Sequence, residues 1–488
     1  MNEPAERFNI VIMSPAGYGF SETFSEISET ISYGLRRMGH EAEIQINEFQ
    51  DDSTNIILGA HLIHESAVFG VPPGSIIYNF EQVHGESRWI KPAYVDLVGR
   101  HLTWDYSQRN VDTWRRYCPG ASVIHVPLGY VPELTRVVSR PIQDIDVLFY
   151  GVVNERRGKV LSELRNAGLR VEALTGVFGP ARDDFISRAK VVLNLHFHPT
   201  RIFELPRVSY LLANGKAVVA EVDETTEIDA ELLQGIVGVP YDCLVSACCR
   251  LVTDQRERSA IERVGKAVFT RRVEEGYLAA ALARAPTPAA EVDVQIPRTI
   301  NVGSGKRWNL ECLNLDVDAG WRPDLVADLN APLPPSRPVD LGRFGVRVLP
   351  ADYFEEVRAS HVLEHLRELV IAMESFLRLL KVGGIVDIEV PYDLSLGAWQ
   401  DPTHVRAMNE NSWLYYTEWF WYLGWTSHRF EMVEMSYILS EYGRVLHANG
   451  SKTEEIIRMP RAVDAMRVKM RKIMLTDAEK GRVAQRWE

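Results

Sequence analysis

Thr299-Ile-Asn-Val-Gly-Ser-Gly305 decides the fold of the last third of this chain. A short apolar run ends in two glycines one residue apart, the pattern of a strand entering a tight turn whose backbone can approach a ligand with no Cβ in the way. Alone the motif says little, because several kinds of nucleotide-binding sheet share it. Its followers give it weight. Leu315-Asp316 puts an acid at the end of a second strand, and Asp328-Leu329 opens the run Asp-Leu-Asn-Ala-Pro-Leu-Pro after a third. His361-Val-Leu-Glu-His365 follows a fourth strand, and Leu380-Lys-Val-Gly-Gly384 forms the turn before a fifth.

Almost 300 residues precede this series. A chain of 488 residues exceeds what one hydrophobic core usually supports, so two or three domains are expected. The stretch ARAPTPAAEVDVQIPR, residues 283 to 298, has no helical or strand period and reads as a linker over 284 to 298. Upstream of it, residues 1 to 140 and 141 to 283 form two α/β halves. The first opens with a strand over 8 to 13, a glycine loop SPAGYGFSE and a helix carrying Ile27, Ile31, Leu35 and Met38. Further strands are expected at 55 to 62, 76 to 80, 101 to 105 and 123 to 127. The second half restarts with Asp146-Val-Leu-Phe-Tyr-Gly151 and a helix over 156 to 167. Strands at 169 to 175, 190 to 197 and 217 to 221 then alternate with helices at 180 to 188 and 203 to 213. This alternation predicts parallel, doubly wound sheets with a ligand cleft between them. The fold class is α/β: two Rossmann-like halves, then a third Rossmann-like domain over 299 to 460 and a helical tail over 461 to 488.

With 46% hydrophobic and 25% charged residues the composition is that of an ordinary soluble protein. A formal charge of -12 argues against a nucleic-acid partner, which needs clustered Lys and Arg in excess, and favours small molecules or glycans. Cys118, Cys243, Cys248, Cys249 and Cys312 form no CxxC pair, which fits a reduced, cytoplasmic setting. Cys243, Cys248 and Cys249 lie in an apolar run without a nearby His and read as core residues rather than metal ligands. Neither a signal peptide nor a run of about 20 apolar residues is present. Residues 461 to 475 mix Arg467, Lys469, Arg471 and Lys472 with Met466, Met470, Ile473 and Met474, a composition suited to peripheral contact with an acidic membrane or to a terminal helix packed on its own domain.

The five elements from Thr299 onward, in that order, resemble the class I S-adenosylmethionine-dependent methyltransferase family over about residues 299 to 450. The resemblance implies S-adenosylmethionine as cofactor. Asn301, Gly303, Ser304 and Gly305 would surround its methionine part, Asp316 would accept the ribose hydroxyls, and Asp328 with Leu329 would meet the adenine. Ser360 and His361 would adjoin the cofactor after the fourth strand. Asn301 stands where the family often has an acid. Methylation of a hydroxyl also requires removal of its proton. The loop Pro391-Tyr-Asp393 to Trp399-Gln-Asp401-Pro-Thr-His404-Val-Arg406 faces the acceptor in related enzymes, which makes His404 the expected general base, with an ordinary pKa of about 6.5, and Asp401 its orienting carboxylate. Two alternatives stay open: Asp401 and His404 close a turn, or they bind a divalent ion with Asp393. The leading assignment holds no metal. The run from Trp413 to Trp425 carries six Trp, Tyr or Phe residues besides those two ends and suits either an acceptor lid or a core.

In the N-terminal region, Phe149-Tyr-Gly151 with Asn154, Arg156 and Arg157 at a helix start suits a diphosphate. Arg201-Ile-Phe-Glu204-Leu-Pro-Arg207-Val-Ser209 and Gly215-Lys-Ala-Val-Val219 follow. Together these resemble the nucleotide-sugar half of GT-B glycosyltransferases. The resemblance implies a nucleotide-sugar site at Gly151, Asn154, Arg156, Arg201, Glu204 and Arg207. Leu212 stands where the family frequently has a second Glu eight residues on. Tyr78-Asn-Phe-Glu81-Gln, Trp104-Asp-Tyr-Ser107 and His125-Val-Pro-Leu-Gly129 resemble the acceptor half, with Gly17 facing the acceptor and Glu81 a catalytic candidate. The whole chain then reads as a bifunctional glycosyltransferase and O-methyltransferase acting on a glycan or glycosylated small molecule. The alternative is a methyltransferase carrying a silent glycan-binding module.

Overall fold

The computed structural model describes residues 5–197, 200–284, 294–334 and 337–485. The chain divides into two compact units, Met1–Val292 and Asp293–Glu488. Each is α/β.

The N-terminal unit holds two parallel sheets. The first has six strands in the order Glu41–Ile46, Arg7–Ile12, Thr54–Leu58, Ile76–Asn79, Leu102–Asp105, Val123–His125. Ile10, Ile56, Ile57, Leu58 and Ile77 are fully buried, as expected for parallel strands covered on both faces. The second sheet has five strands in the order Val237–Val239, Ala217–Glu221, Ala189–Asn194, Ile145–Tyr150, Val171–Leu174. The helix Glu274–Leu282 returns from the second half to the first and packs on Ser25–Arg37. A Cβ at Gly34 would lie 2.7 Å from Leu278 Cδ1, so only a glycine permits that close approach. Glu274 is fully buried at this crossing and accepts the Gly129 N–H. Burial pushes its carboxyl up to about 8.

The C-terminal unit is built on one seven-stranded sheet in the order Leu325–Val326, Leu313–Asp316, Thr299–Val302, Phe354–Ser360, Leu380–Pro391, Val463–Met474, His428–Leu439. The first five are mutually parallel and the last two antiparallel. The order reverses between Thr299–Val302 and Phe354–Ser360, and the crevice outside the carboxyl ends of such strands is where open α/β sheets bind ligands.

Two boundary expectations change. The linker ends earlier than residue 298, because Ile296 is buried in the C-terminal core and Arg298 O accepts the Glu355 N–H; residues 285–293 lie outside the described residues. The tail is not helical from 461. Val463–Met474 is a strand inside the sheet, with Met466, Val468 and Met470 buried and Arg467 and Arg471 exposed, a period of two rather than 3.6. Met466 and Met470 are therefore committed to the core, while Met474 at the strand end is exposed; the helix comes later, at Asp477–Gln485. Of the cysteine trio, Cys248 is buried in the core while Cys243 is exposed. Among the described residues no helix is long and apolar enough to cross a membrane.

Candidate functional site

The glycine turn sits at the carboxyl end of the strand Thr299–Val302. Gly303 and Gly305 have φ of +62° and +38°, a region that other residues reach only with strain. The turn does not open an α-helix: residues 303 to 312 reach the next strand through one 3-10 turn, Gly305–Arg307. A helix dipole therefore contributes nothing here, and individual groups must hold a ligand. Gly305 N–H donates to Asp316 Oδ2 at 2.8 Å, so the acid ending the second strand is bonded into the turn. Its other oxygen accepts Asp318 N–H at 3.0 Å. Ser304 Oγ is buried without a hydrogen-bond partner, an orphaned hydroxyl at the turn. Asn301 is buried and spends its amide on Arg307 O and Asn314 Oδ1, at 2.9 and 3.2 Å, which holds the turn from below.

After the fourth strand, Ser360 accepts a bond from Arg307, and His361 Nε2 lies 3.1 Å from Glu389 Oε1. The neighbouring Glu364 and Glu389 carboxylates raise the His361 pKa above its ordinary value. Asp328 is exposed and caps its own turn through Asn330 N–H at 2.9 Å, while Leu329 is buried in the core. The turn, Asp316 and the Ser360–His361 pair thus gather at the switch point, with Asp328 on a separate exposed turn.

Beside this crevice an open pocket of about 570 Å³ is lined by His361, Glu364, His365, Glu389, Asp401 and His404, among others. His404 Nδ1 lies 3.1 Å from Ala398 O. A carbonyl only accepts, so Nδ1 carries the proton and Nε2 the lone pair. Asp401 does not orient the ring through Nδ1: its Oδ2 is 3.9 Å from Nε2. Instead Asp401 Oδ1 accepts the Thr403 hydroxyl at 2.6 Å, and bonds from Thr403 hold the Asp401 pKa below its ordinary value. Asp393 is turned away, accepting Asn409 Nδ2 at 3.0 Å. Trp399 stands 72% exposed beside these lining residues, its ring nitrogen donating to Asp393 O at 2.8 Å. The aromatic run divides: Trp413, Tyr416, Phe420 and Trp425 are buried, whereas Tyr415, Trp419 and Tyr422 are exposed.

In the N-terminal unit the loop carrying Glu81 meets the loop carrying Glu204, with Gln82 Nε2 donating to Ile202 O at 3.2 Å. Glu81 Oε1 is 3.5 Å from the buried His61 Nε2. Burial pushes Glu81 up to about 7 and His61 down to about 3. Tyr18 and Trp89, 6.1 Å apart between ring centroids, stand by this pair, and Gly17 turns the adjoining loop at φ +80°. The motif Trp104-Asp-Tyr-Ser107 is scaffold: Asp105 is fully buried and accepts bonds from Asn79, Ser107, Asn110 and Trp114.

Across the loop contact, Glu204 sits at the start of the helix Leu205–Ala213 and accepts Asn194 Nδ2 at 2.9 Å. Burial opposes its ionisation, yet His196 at 3.3 Å, Arg207 and Asn194 outweigh burial and lower its pKa. The three predicted arginines differ. Arg156 stacks over Tyr241 at 4.0 Å and is paired bidentately with the buried Glu221. Arg201, at φ +51°, is paired with Asp223. Arg207 donates to Asn194 Oδ1 at 2.9 Å and lies against Gly151, where a Cβ would stand 3.0 Å from its Nη2. Asn154 is the helix cap for Arg157 N–H at 2.9 Å. Arg157, read from the sequence as part of the diphosphate-favouring helix start, is buried within 3.8 Å of Glu204, and burial lowers its pKa to about 10.

No family model matches the chain. It is 28% identical to the uncharacterized protein L138 of Acanthamoeba polyphaga mimivirus over 130 residues, 25% of this chain and 15% of that protein. It is also 28% identical to the uncharacterized protein L137 of the same virus over 125 residues, 23% of this chain and 16% of that protein. The matched stretch is thus less than a fifth of either relative. Similar solved structures include a SAM-dependent methyltransferase from Archaeoglobus fulgidus, at 18% identity and TM-score 0.24, covering 36% of this chain and 86% of that one. Anabaena Alr3699/HepE in complex with UDP and glucose is similar at 11% identity and TM-score 0.40, covering 57% of this chain and 99% of that one. AviGT4, a glycosyltransferase of avilamycin A biosynthesis, is similar at 16% identity and TM-score 0.35, covering 57% and 99%.

Proposed function

We propose that the chain is a two-part transferase: its C-terminal unit methylates an acceptor hydroxyl with S-adenosylmethionine, and its N-terminal unit transfers a sugar from a nucleotide donor to a glycan or small molecule. The observation that carries the first half is the convergence of the Gly303–Gly305 turn, Asp316 and His361 at one switch point beside an open pocket. S-adenosylmethionine supplies a methyl group on a sulfonium, already electrophilic. The turn offers the orphaned Ser304 hydroxyl to the amino-acid end, its Ser304 and Gly305 N–H groups being bonded to Leu315 O and Asp316, and Asp316 gives a carboxylate to the ribose. Asp328 contributes to the adenine end from its exposed turn. Beyond His361 the pocket presents the imidazoles of His365 and His404 to the acceptor, with Trp399 at the rim as a stacking face for a sugar ring.

In the N-terminal unit Glu81 is the proton acceptor for the incoming hydroxyl, since a carboxyl raised to about 7 is half-ionised near neutrality. Glu204, Arg207 and Gly151 hold the donor, with Asn154 shaping the helix start and Arg156 and Arg201 exchanging their carboxylates for its diphosphate. One observation favours the alternative of a silent glycan-binding module: Arg156 and Arg201 already have carboxylate partners, so Arg207 is left to meet the diphosphate with less help. Incubating the full chain with S-adenosylmethionine and pooled UDP-, GDP- and dTDP-sugars, then following acceptors by mass, tests both halves. The addition of one hexose followed by one methylene is expected. Methylation without any hexose addition selects the binding-module reading, and neither addition overturns both.

A further inference from the structure

Glu364, His365 and His404 bring one carboxylate and two imidazoles together so that a donor atom from each lies within 4.8 Å of the others. Glu364 is 2% exposed, and neither of its carboxylate oxygens has a hydrogen-bond partner. A buried carboxylate without hydrogen bonds is costly and calls for positive charge, with His361 at ion-pair distance on one side. The nearest ring nitrogens to Oε1 are His361 Nδ1 at 3.4 Å and His404 Nε2 at 4.0 Å. The second of these is too long for a direct bond and leaves a gap between two lone pairs.

The surrounding bonds set the tautomers for ligation. Ala398 O fixes the proton of His404 on Nδ1, leaving the Nε2 lone pair toward Glu364. Thr403 gives its hydroxyl proton to Asp401 Oδ1, so it accepts from His365 Nδ1 at 2.9 Å, which leaves that ring's other nitrogen with the lone pair. Carbonyl and carboxylate-linked groups on the far side of each imidazole are the usual outer support of a metal-binding histidine.

We propose that Glu364, His365 and His404 form a binding site for one divalent transition-metal ion. Two imidazoles and one carboxylate suit zinc, iron or cobalt in the divalent state better than magnesium or calcium, which prefer all-oxygen sets. Metal bonds of about 2.0–2.2 Å require the three donors to draw together by roughly an ångström. With three protein ligands the ion keeps open positions toward the pocket for water or an acceptor oxygen. The lone pair on His404 Nε2 is then a ligand, and lowering the pKa of a bound hydroxyl replaces direct proton removal by that ring. The site rests on its own geometry, and the methyltransferase reading enters only in naming what the open positions face.

The test is to strip the full-length protein with a chelator and titrate it with Co²⁺, followed by visible absorption and calorimetry, with a parallel S-adenosylmethionine titration of the stripped protein. One Co²⁺ per chain with visible ligand-field bands is expected, weakened at least about 100-fold in His404→Ala and Glu364→Gln. Where those variants fold poorly by circular dichroism, Thr403→Val serves instead, with a loss of about 10–100-fold expected from removing outer support. Absence of Co²⁺ binding, or equal binding by wild type and all three variants, overturns the site. S-adenosylmethionine binding to the stripped protein speaks to the methyltransferase reading separately.

Discussion

Gly303 and Val362 lie so close at the switch point that a Cβ on residue 303 would stand 2.1 Å from Val362 Cγ2. This contact locks the glycine turn of the first strand against the segment that follows the fourth. Gly303→Ala should therefore abolish measurable S-adenosylmethionine binding and lower the melting temperature, since it adds a clash to a φ of +62°. Adding Val362→Ala should relieve the clash but not the backbone strain. Calorimetry and thermal unfolding of both variants check this; a fully restored double variant would mean that the backbone conformation matters little.

Asp316 is the second joint of the proposed cofactor crevice. Asp316→Ala removes the acceptor of Gly305 N–H and the carboxylate proposed for the ribose, so cofactor affinity should fall about 10–100-fold, at about 1.5–3 kcal/mol for a charged hydrogen bond. Asp316→Asn keeps one acceptor oxygen and should fall less. Titration calorimetry separates the two variants.

Much of the architecture was legible because parallel strands buried on both faces are apolar runs ended by glycine, as at residues 145 to 151 and 299 to 305. Glu41–Ile46 escaped notice as an edge strand whose sequence EAEIQI exposes most of its side chains. Val463–Met474 misled because methionines four apart, Met466 and Met470, satisfy a helical period as well as a strand's alternation. The intervening Val468 is the residue that separates the two. At the site, His404 and His361 were visible from their motifs, but Glu364 was hidden in His361-Val-Leu-Glu-His365. Only the fold reveals that its carboxylate is buried without a hydrogen bond, while Thr403, 38 residues beyond His365, holds that ring and Ala398 holds His404 within its own loop.

Two arginines of the proposed donor half make separable predictions. Arg207→Ala should weaken UDP binding at least tenfold, because this guanidinium faces Gly151 with an amide rather than a carboxylate as its partner. Arg156→Ala frees the buried Glu221 and should cost folding stability, about 3–5 kcal/mol for a broken buried pair reduced by the partial exposure of Arg156. Denaturant titration and UDP calorimetry on both variants distinguish a binding arginine from a structural one.

Glu274 predicts a pH dependence of stability. Its folded pKa, about 8, lies above the ordinary carboxyl value, so the folded state holds the proton more tightly than the unfolded state does. The associated stability is complete below about pH 4 and is lost as pH rises toward 8. Glu274→Gln keeps an oxygen for Gly129 N–H and cannot ionise. Its melting temperature should fall less steeply than that of the wild type between pH 5 and about 8, and parallel curves would count against a protonated Glu274.

Glu81 sets the opposite demand on the same unit. A base acts only when deprotonated, so sugar transfer should rise as pH climbs through about 7 and level off above it, while the stability held by the protonated carboxyl declines over that span. Glu81→Gln should remove transfer by at least about 100-fold while leaving UDP affinity within about twofold, because in the proposed arrangement Glu81 serves the acceptor and Glu204 and Arg207 hold the donor. His61→Phe removes the ring beside Glu81 and should move the midpoint of the pH profile. Initial rates from pH 5.5 to about 9 measure both effects; an unshifted midpoint in His61→Phe would separate the two side chains, and full activity in Glu81→Gln would pass the proton to another group.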